Sequence, residues 1–212
     1  KQIPFVEPSD VAIDEQTGNI WVVDAGNGWI YRLDASGKMT AVINGAELQV
    51  YSPRGLAISS TGDIFVADTG MGRILHLNQQ GQVLATLGAS NSGSDQLRGP
   101  TGIAIQNNDL FVADVDNRRI VHYTLDGQRV GVFKSIEGSA WLDVDERGHI
   151  LVSNSQTSKI AVYDFSGTLI GELAPTVEAA PIAELTGLAS RPDGRLYVVG
   201  ANQLSQFKID WK

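Results

Sequence analysis

The side chains in this sequence best suited to bind a metal or transfer protons are three histidines, His76, His122 and His149. A metal-dependent lyase or hydrolase needs several His or carboxylate ligands that meet at one point. His76 and His122 lie 46 residues apart within similar stretches of sequence, whereas His149 lies in a turn. Because equivalent residues of separate units do not converge, we expect no histidine metal centre and no cofactor. The absence of cysteine also excludes thiolate ligands and a cysteine nucleophile.

Carboxylates recur with the same period as the histidines. Asp24, Asp68 and Asp114 each end a short apolar stretch, and they are spaced 44 and 46 residues apart. An Asp at the end of a strand accepts hydrogen bonds from the amides of the following loop. One acid per unit also spreads the carboxylates around a circumference, so we interpret them as structural. Arg73 and Arg119 are their expected partners within the same loops.

Asp143 departs from this pattern. The equivalent positions of the other units hold alanine, at Ala12, Ala57, Ala104 and Ala189. A carboxylate on a tightly packed strand loses hydration unless a partner pairs with it. Asp143 is therefore either a functional group at a central channel or a structural acid satisfied by a nearby Ser, Arg or water, and the second interpretation is favoured. Trp141, two residues earlier, makes the same unit the asymmetric one.

Composition limits the classes of partner. The chain has 212 residues, 42% of them hydrophobic, which is typical of a globular domain. Its net charge is −8 and its 16 basic residues are scattered, so nucleic acid is not an expected partner. No apolar run is long enough to span a bilayer, so direct membrane insertion is not expected either.

The chemistry-bearing residues belong to a repeat of about 45 residues, clearest in "FVADTGMGRI" at 65–74 and "FVADVDNRRI" at 111–120. Each unit holds four short β-rich stretches separated by turns with glycine, which is typical of a β-propeller blade. We predict an all-β fold, a single five-bladed β-propeller over residues 1–212. The repeats span about 8–44, 53–88, 100–134, 138–173 and 185–212.

The ends of the chain are predicted to close this ring. Residues 2–6 occupy the slot of a fourth strand, and the last repeat stops after its third strand. Pairing the two would complete the last blade and bury edges that an open sheet exposes. The alternative is a fragment of a larger ring.

The motif resembles the NHL repeat. Its pattern is carried by Gly55-Leu56-Ala57-Ile58 with Arg73-Ile74, and by Gly102-Ile103-Ala104-Ile105 with Arg119-Ile120. The resemblance covers almost the whole chain and implies a propeller. Resemblance to bacterial NHL domains further implies an extracytoplasmic location (periplasmic, cell-surface or secreted) and a sensor or surface-interaction role, as one module of a larger protein. The acidic charge argues against the RNA-binding use of some NHL domains.

The long loops are expected on one face of the propeller. Blade-to-blade connections at 43–54, 88–101 and 174–187 are long, whereas the turns between first and second strands are tight. Repeat architectures usually bind through the face that carries such insertions. The candidate ligand-binding residues are Trp29, Glu47, Tyr51, Arg54, Met71, Asp95, Arg98, Asn117, Arg118 and Trp141, with Asp143 as a channel candidate. For Trp29 and Trp141, simple packing is the favoured alternative.

Three functions are compatible with these residues. The favoured one is a non-catalytic binding module that presents one face to a protein, peptide or glycan. The second is a metal-dependent lyase or lactonase-type hydrolase with its site at the central channel. The third is a scaffold that binds a second copy or a neighbouring domain of its parent chain.

Overall fold

The computed structural model describes residues 4–89, 96–134, 138, 141–177, 180–191, 193–200 and 203–209. These residues form five blades arranged as a β-propeller, which confirms the predicted fold class. The strands of blades 1 and 2 are β1 (Pro8–Ile13), β2 (Ile20–Asp24), β3 (Trp29–Leu33), β4 (Met39–Ile43), β5 (Gly55–Ile58), β6 (Ile64–Asp68), β7 (Arg73–Leu77) and β8 (Val83–Leu87). Those of blades 3 and 4 are β9 (Pro100–Gln106), β10 (Asp109–Asp114), β11 (Arg119–Thr124), β12 (Arg129–Lys134), β13 (Leu142–Val144), β14 (Ile150–Asn154), β15 (Lys159–Tyr163) and β16 (Leu169–Leu173). Blade 5 holds β19 (Gly187–Ser190), β20 (Arg195–Gly200) and β21 (Gln203–Lys208).

Each blade is an antiparallel sheet whose strands follow one another in chain order. The blade-crossing connections carry a one-turn helix, α1 (Gly45–Leu48), and a small hairpin of β17 (Thr176–Val177) and β18 (Ala180–Pro181). No helix within the described ranges is long and apolar enough to cross a membrane.

Most of the core lies between neighbouring blades. The middle strands are apolar on both faces, and all five residues of β6 and of β14 are buried. Separate hydrophobic clusters join blade 1 to blade 2, 2 to 3, 3 to 4 and 4 to 5. Large side chains at one repeated position, Trp21, Phe65, Phe111 and Leu151, pack from each blade onto the next. Burial of this apolar surface is the main stabilising contribution to the fold.

The segment predicted to close the ring, residues 2–6, forms no strand over its described part, residues 4–6. Residues 4–7 lie outside any strand, and β21 pairs with β20 alone among the described strands. The amides of Val6 and Glu7 instead donate to the Asp24 carboxylate, at 2.7 and 2.9 Å. The apolar sequence of this segment indicated a strand, but the buried carboxylate captures its amides and holds it against blade 1. Residues 2 and 3 lie outside the described residues.

Candidate ligand-binding face

Buried carboxylates attach the long loops to the blades. We call the face that carries the blade-crossing loops and the loops between second and third strands the upper face. Asp24, Asp68 and Asp114 end β2, β6 and β10 on this face, and each is fully buried. The amide of Tyr51 donates to Asp68 at 2.8 Å, and that of Arg98 donates to Asp114 at 2.6 Å. The acids therefore have the structural role that the sequence indicated.

Arginines complete two of these attachments, as the sequence also indicated. Arg73 donates to Asp68 at 2.8 Å, and Arg119 donates to Asp114 at 2.6 Å. Their remaining guanidinium nitrogens reach carbonyl oxygens of the incoming loop, namely Leu48, Gln49 and Gln96. Burial raises the pKa of Asp68, while the Tyr51 amide and the Arg73 guanidinium oppose that rise. The same pairs thus fix both the loop backbone and the acid.

Blade 4 builds this attachment differently. Asn154 replaces the acid, and its Oδ1 accepts from the amides of Gln156 and Thr157, both at 2.9 Å. Lys159 replaces the arginine and forms an exposed ion pair with Glu172 at 2.8 Å. Exposed ion pairs contribute little stability, so Lys159 contributes less than the partly buried Arg73 and Arg119 do in blades 2 and 3.

The five innermost strands line a central cavity of about 490 Å³, and two acids lie on its wall. The carboxylate of Asp143 accepts a hydrogen bond from the amide of Ser190 on blade 5. Burial raises the pKa of Asp143, against the effect of this bond. Ser190 is therefore the nearby partner that the favoured interpretation of Asp143 required. Contact of Asp143 with a ligand stays a prediction.

Asp10 is the second channel acid, and the sequence reasoning missed it. Its Oδ2 accepts from the amide of Leu56 on blade 2 at 2.8 Å, and its Oδ1 accepts from Val11 at 2.8 Å. Burial raises its pKa to about 7. The signal was present, because Asp10 takes the place that glycine holds in blades 2 and 3, at Gly55 and Gly102. Both channel acids tie the innermost strand of one blade to that of the next.

A wider depression of about 770 Å³ opens on the upper face. Trp141 lines both this depression and the central cavity, so it stands at the junction of the two. Arg54 lines the depression and faces Glu7 at 3.5 Å. Polar groups from the other blades surround them, at Asp116, Ser155 and Glu184. The structure thus brings Arg54 and Trp141, two of the predicted contact residues, to one concave site.

Two further candidates, Tyr51 and Met71, are exposed on the loops beside and within blade 2. Tyr51 is 69% exposed and Met71 is 48% exposed. The Tyr51 ring lies against Gly70, where an added Cβ would come within 2.1 Å of it. Gly70 is therefore needed to seat this ring on the loop surface.

The other predicted contact residues are dispersed. Trp29 is half-buried against the Tyr31 ring, with a centroid separation of 6.1 Å. This position agrees with the favoured alternative for Trp29, which was simple packing. Asn117 turns its amide inward to Asp114 and to the carbonyl of Gln96. The remaining described candidates are exposed at separate places on the upper loops, at Glu47, Arg98 and Arg118. Asp95 lies outside the described residues.

Each histidine lies within 3.2 Å of one acid of its own blade, away from the lining of the central cavity, although the buried Nε2 of His76 forms no hydrogen bond within the described residues. His76 faces Asp63 at 3.2 Å, and His122 faces Asp109 at 2.5 Å. His149 pairs with Asp145 at 2.8 Å. Within the described ranges, no three His, Cys, Asp or Glu side chains lie close enough together to hold a metal ion.

The repeat and the fold both match known proteins. The family model described as "NHL repeat" matches residues 5–31, 50–77 and 97–123. Among solved structures, streptogramin B lyase has a TM-score of 0.73 at 23% identity, covering 99% of this chain and 71% of that one. An inactive virginiamycin B lyase from Staphylococcus aureus with quinupristin has a TM-score of 0.69 at 18% identity, covering 100% and 73%.

A third similar structure is the nidogen/laminin complex, with a TM-score of 0.69 at 16% identity. It covers 82% of this chain and 66% of that one. No curated protein sequence matches the chain. At these identities the solved structures bear on the fold alone.

Proposed function

Because this chain belongs to the NHL-repeat family, a family of β-propeller domains, we propose that it is a binding module that takes a protein or peptide ligand on its upper face without catalysis. The ligand seats over the depression, with Trp141 and Arg54 as its central anchors. Tyr51 and Met71 extend the contact onto blade 2. A glycan is the competing ligand class.

The depression at the propeller axis is the observation that carries this proposal. It combines a half-buried Trp, an Arg and surrounding polar groups from all five blades in about 770 Å³. Trp, Tyr and Arg are the residue types that dominate binding energy at protein interfaces. The buried Asp attachments hold the surrounding loops in place, which lowers the entropic cost of binding. The nidogen/laminin complex is a structure of similar fold that includes a protein partner.

A lyase is the second candidate, because two of the similar structures are streptogramin-type lyases. The arrangement of acids and bases favours binding instead. The channel acids Asp10 and Asp143 accept from backbone amides, and the histidines pair with acids of their own blades. An acid–base mechanism needs a group within hydrogen-bond reach of the reacting atoms.

Peptide and glycan arrays probed with the wild type, Trp141→Ala and Tyr51→Ser test the proposal. We expect peptide spots to bind the wild type and to lose at least tenfold in apparent affinity with each variant. Leu84→Ala is the matched control, because Leu84 is an exposed apolar residue on the outermost strand of blade 2. Peptide binding that none of the upper-face variants weakens would exclude this face.

Turnover separates the two candidate functions. The protein is incubated with quinupristin, the compound present in one of the similar lyase structures, and a divalent metal ion, and product formation is followed by mass spectrometry. No product is expected. Product formed at a rate proportional to protein concentration would establish the lyase and overturn the proposal.

The proposal includes a location outside the cytoplasm, supported by the resemblance to bacterial NHL domains. Fractionation of cells that express the complete natural polypeptide tests it. Protease accessibility in intact or osmotically shocked cells is the expected result, and protection until lysis would contradict it.

A further inference from the structure

One position of the repeat holds an exposed residue in blade 5 and a buried residue in the other four blades. The first long apolar residue of the third strand is Ile30, Ile74, Ile120 or Ile160 in blades 1 to 4, and each is 0% exposed. The register places Leu204 at the same position, opposite Val199, and Leu204 is 67% exposed. The sequence therefore keeps a core-type residue at a position that the described part of blade 5 leaves exposed.

The rest of this face of blade 5 follows Leu204. Val199 is 39% exposed, whereas the equivalent Val23, Ala67 and Ala113 are at most 1% exposed. Tyr197 is half-buried at the position where Trp21, Phe65 and Phe111 are buried. These residues point away from blade 4, because the cluster shared with blade 4 uses Leu196 and Val198 instead.

Blade 1 also exposes apolar residues, on the face that points away from blade 2. Val11 is 59% exposed, whereas the equivalent Leu56, Ile103 and Leu142 pack on the preceding blade and are 4–7% exposed. The cluster on this face of blade 1, built around Tyr31, consists of blade 1 residues only. Phe5 covers part of it, with its ring 5.0 Å from that of Tyr31. Within the described residues, the faces of blades 1 and 5 thus do not share a core as the other neighbours do.

We propose that these two apolar faces, which we call the open faces, dock further four-stranded blades of the same repeat, supplied by the same natural polypeptide. Continuity with the existing interfaces supports a blade as the occupant, because each open face repeats the pattern that packs on a blade elsewhere in the molecule. The edge of β21 that pairs with none of the described strands offers a further strand the backbone groups it needs for pairing.

A comparison of chain lengths is consistent with about two further blades. Streptogramin B lyase has a similar fold, and this chain covers 71% of it. The remaining 29% corresponds to about 85 residues, which is close to two repeats of this chain. A second copy of the chain is the less suitable occupant, because each copy carries a net charge of −8.

Thermal unfolding of the complete natural polypeptide that contains these 212 residues tests the proposal. Leu204→Ala is compared with its repeat equivalent Ile74→Ala, which is buried between blades 2 and 3. Truncating a buried Leu or Ile usually lowers Tm by at least about 5 °C in a protein of this size. We expect both variants to lower Tm by that amount in the complete polypeptide, and only Ile74→Ala to do so in the 212-residue chain. A Leu204→Ala variant that leaves the Tm of the complete polypeptide unchanged would overturn the proposal.

Distance measurements on the 212-residue chain provide a second test that does not depend on stability. The chain has no cysteine, so pairs of cysteines introduced at exposed turn residues can be spin-labelled without background. Glu15→Cys with Arg191→Cys spans blades 1 and 5, and Glu15→Cys with Thr61→Cys is the matched pair across the packed blades 1 and 2. We expect the first distance to be much longer than the second. Equal distances would mean that five blades close on themselves, which excludes the docking of further blades.

Discussion

Replacing Asp114 by Asn tests whether the buried acids hold the upper face. The substitution keeps the size of the side chain and removes its charge. Asp114 accepts from the Arg98 amide at 2.6 Å, from Asn117 at 2.8 Å and from Arg119 at 2.6 Å. An Asn can accept the first of these bonds through its oxygen. Its amide nitrogen then faces the nitrogens of Asn117 and Arg119, which are also donors.

The expected cost is about 2–4 kcal/mol in the free energy of unfolding. A hydrogen bond to a charged group contributes about 1.5–3 kcal/mol, and breaking one side of a buried ion pair costs about 3–5 kcal/mol. The expected cost lies below the upper limit for a broken buried ion pair, because Arg119 keeps its bond to the Gln96 carbonyl at 3.0 Å. Asp116→Asn is the matched control, since this acid lies two residues away and is exposed. We expect the control to change stability by less than about 0.5 kcal/mol.

Urea unfolding followed by circular dichroism measures both variants, and a double-mutant cycle with Arg119→Met isolates the pair. We expect the double variant to lose about 1–3 kcal/mol less than the sum of the two single variants, because their interaction can be lost only once. The reasoning fails if Asp114→Asn unfolds at the wild-type urea midpoint, or if the cycle shows no coupling.

Three further predictions concern the channel and the glycine positions. Burial raises the pKa of Asp10 from 3.8 to about 7, so the folded state holds a proton that the unfolded state has released between about pH 4 and pH 7. The free energy of unfolding should fall as pH rises through this window and level off above it. Asp10→Asn should flatten this pH profile by roughly 1–3 kcal/mol, a figure discounted because the cavity admits water. A variant profile parallel to that of the wild type would refute this. Gly55→Ala should cost about 1–3 kcal/mol in urea unfolding, because its Cβ would lie 2.0 Å from the Thr101 carbonyl oxygen, whereas Gly131→Ala on open strand surface should cost nothing or stabilise. Asp143→Asn should alter stability with pH in the same direction as Asp10→Asn, and an effect confined to alkaline pH would contradict the assigned cause.

The repeat made most of the fold predictable from sequence. The blades share one register, so the period predicted the strand order, the buried second strand and, in blades 1 to 3, the carboxylate at the end of that strand. The role of Asp68 followed from the same logic, because an Asp at that point of a blade has the incoming loop amides within reach. The two ends of the chain were harder to predict, because the apolar residues at 4–6 suit either a fourth strand or a segment held by Asp24.

The candidate site was predictable as a face but not as a set of side chains. Unequal loop lengths indicated the correct side of the propeller for the depression that holds Arg54 and Trp141. Which loop side chains converge depends on backbone geometry that no periodicity encodes. Asn117, for example, turns inward to Asp114, while the Tyr51 ring rests on the loop surface beside Gly70.

The channel acquires its chemistry where the repeat is broken. At Gly55 the innermost strand of blade 2 approaches blade 3 so closely that a Cβ would meet the Thr101 carbonyl oxygen. Asp10 and Trp141 occupy this position in blades 1 and 4, where a side chain rules out the same approach. Asp10 bridges the wider gap through the Leu56 amide, and Trp141 projects to the junction of the cavity and the depression. The regular blades therefore supply a repeated frame, and the two irregular ones place a carboxylate and an aromatic side chain at the axis.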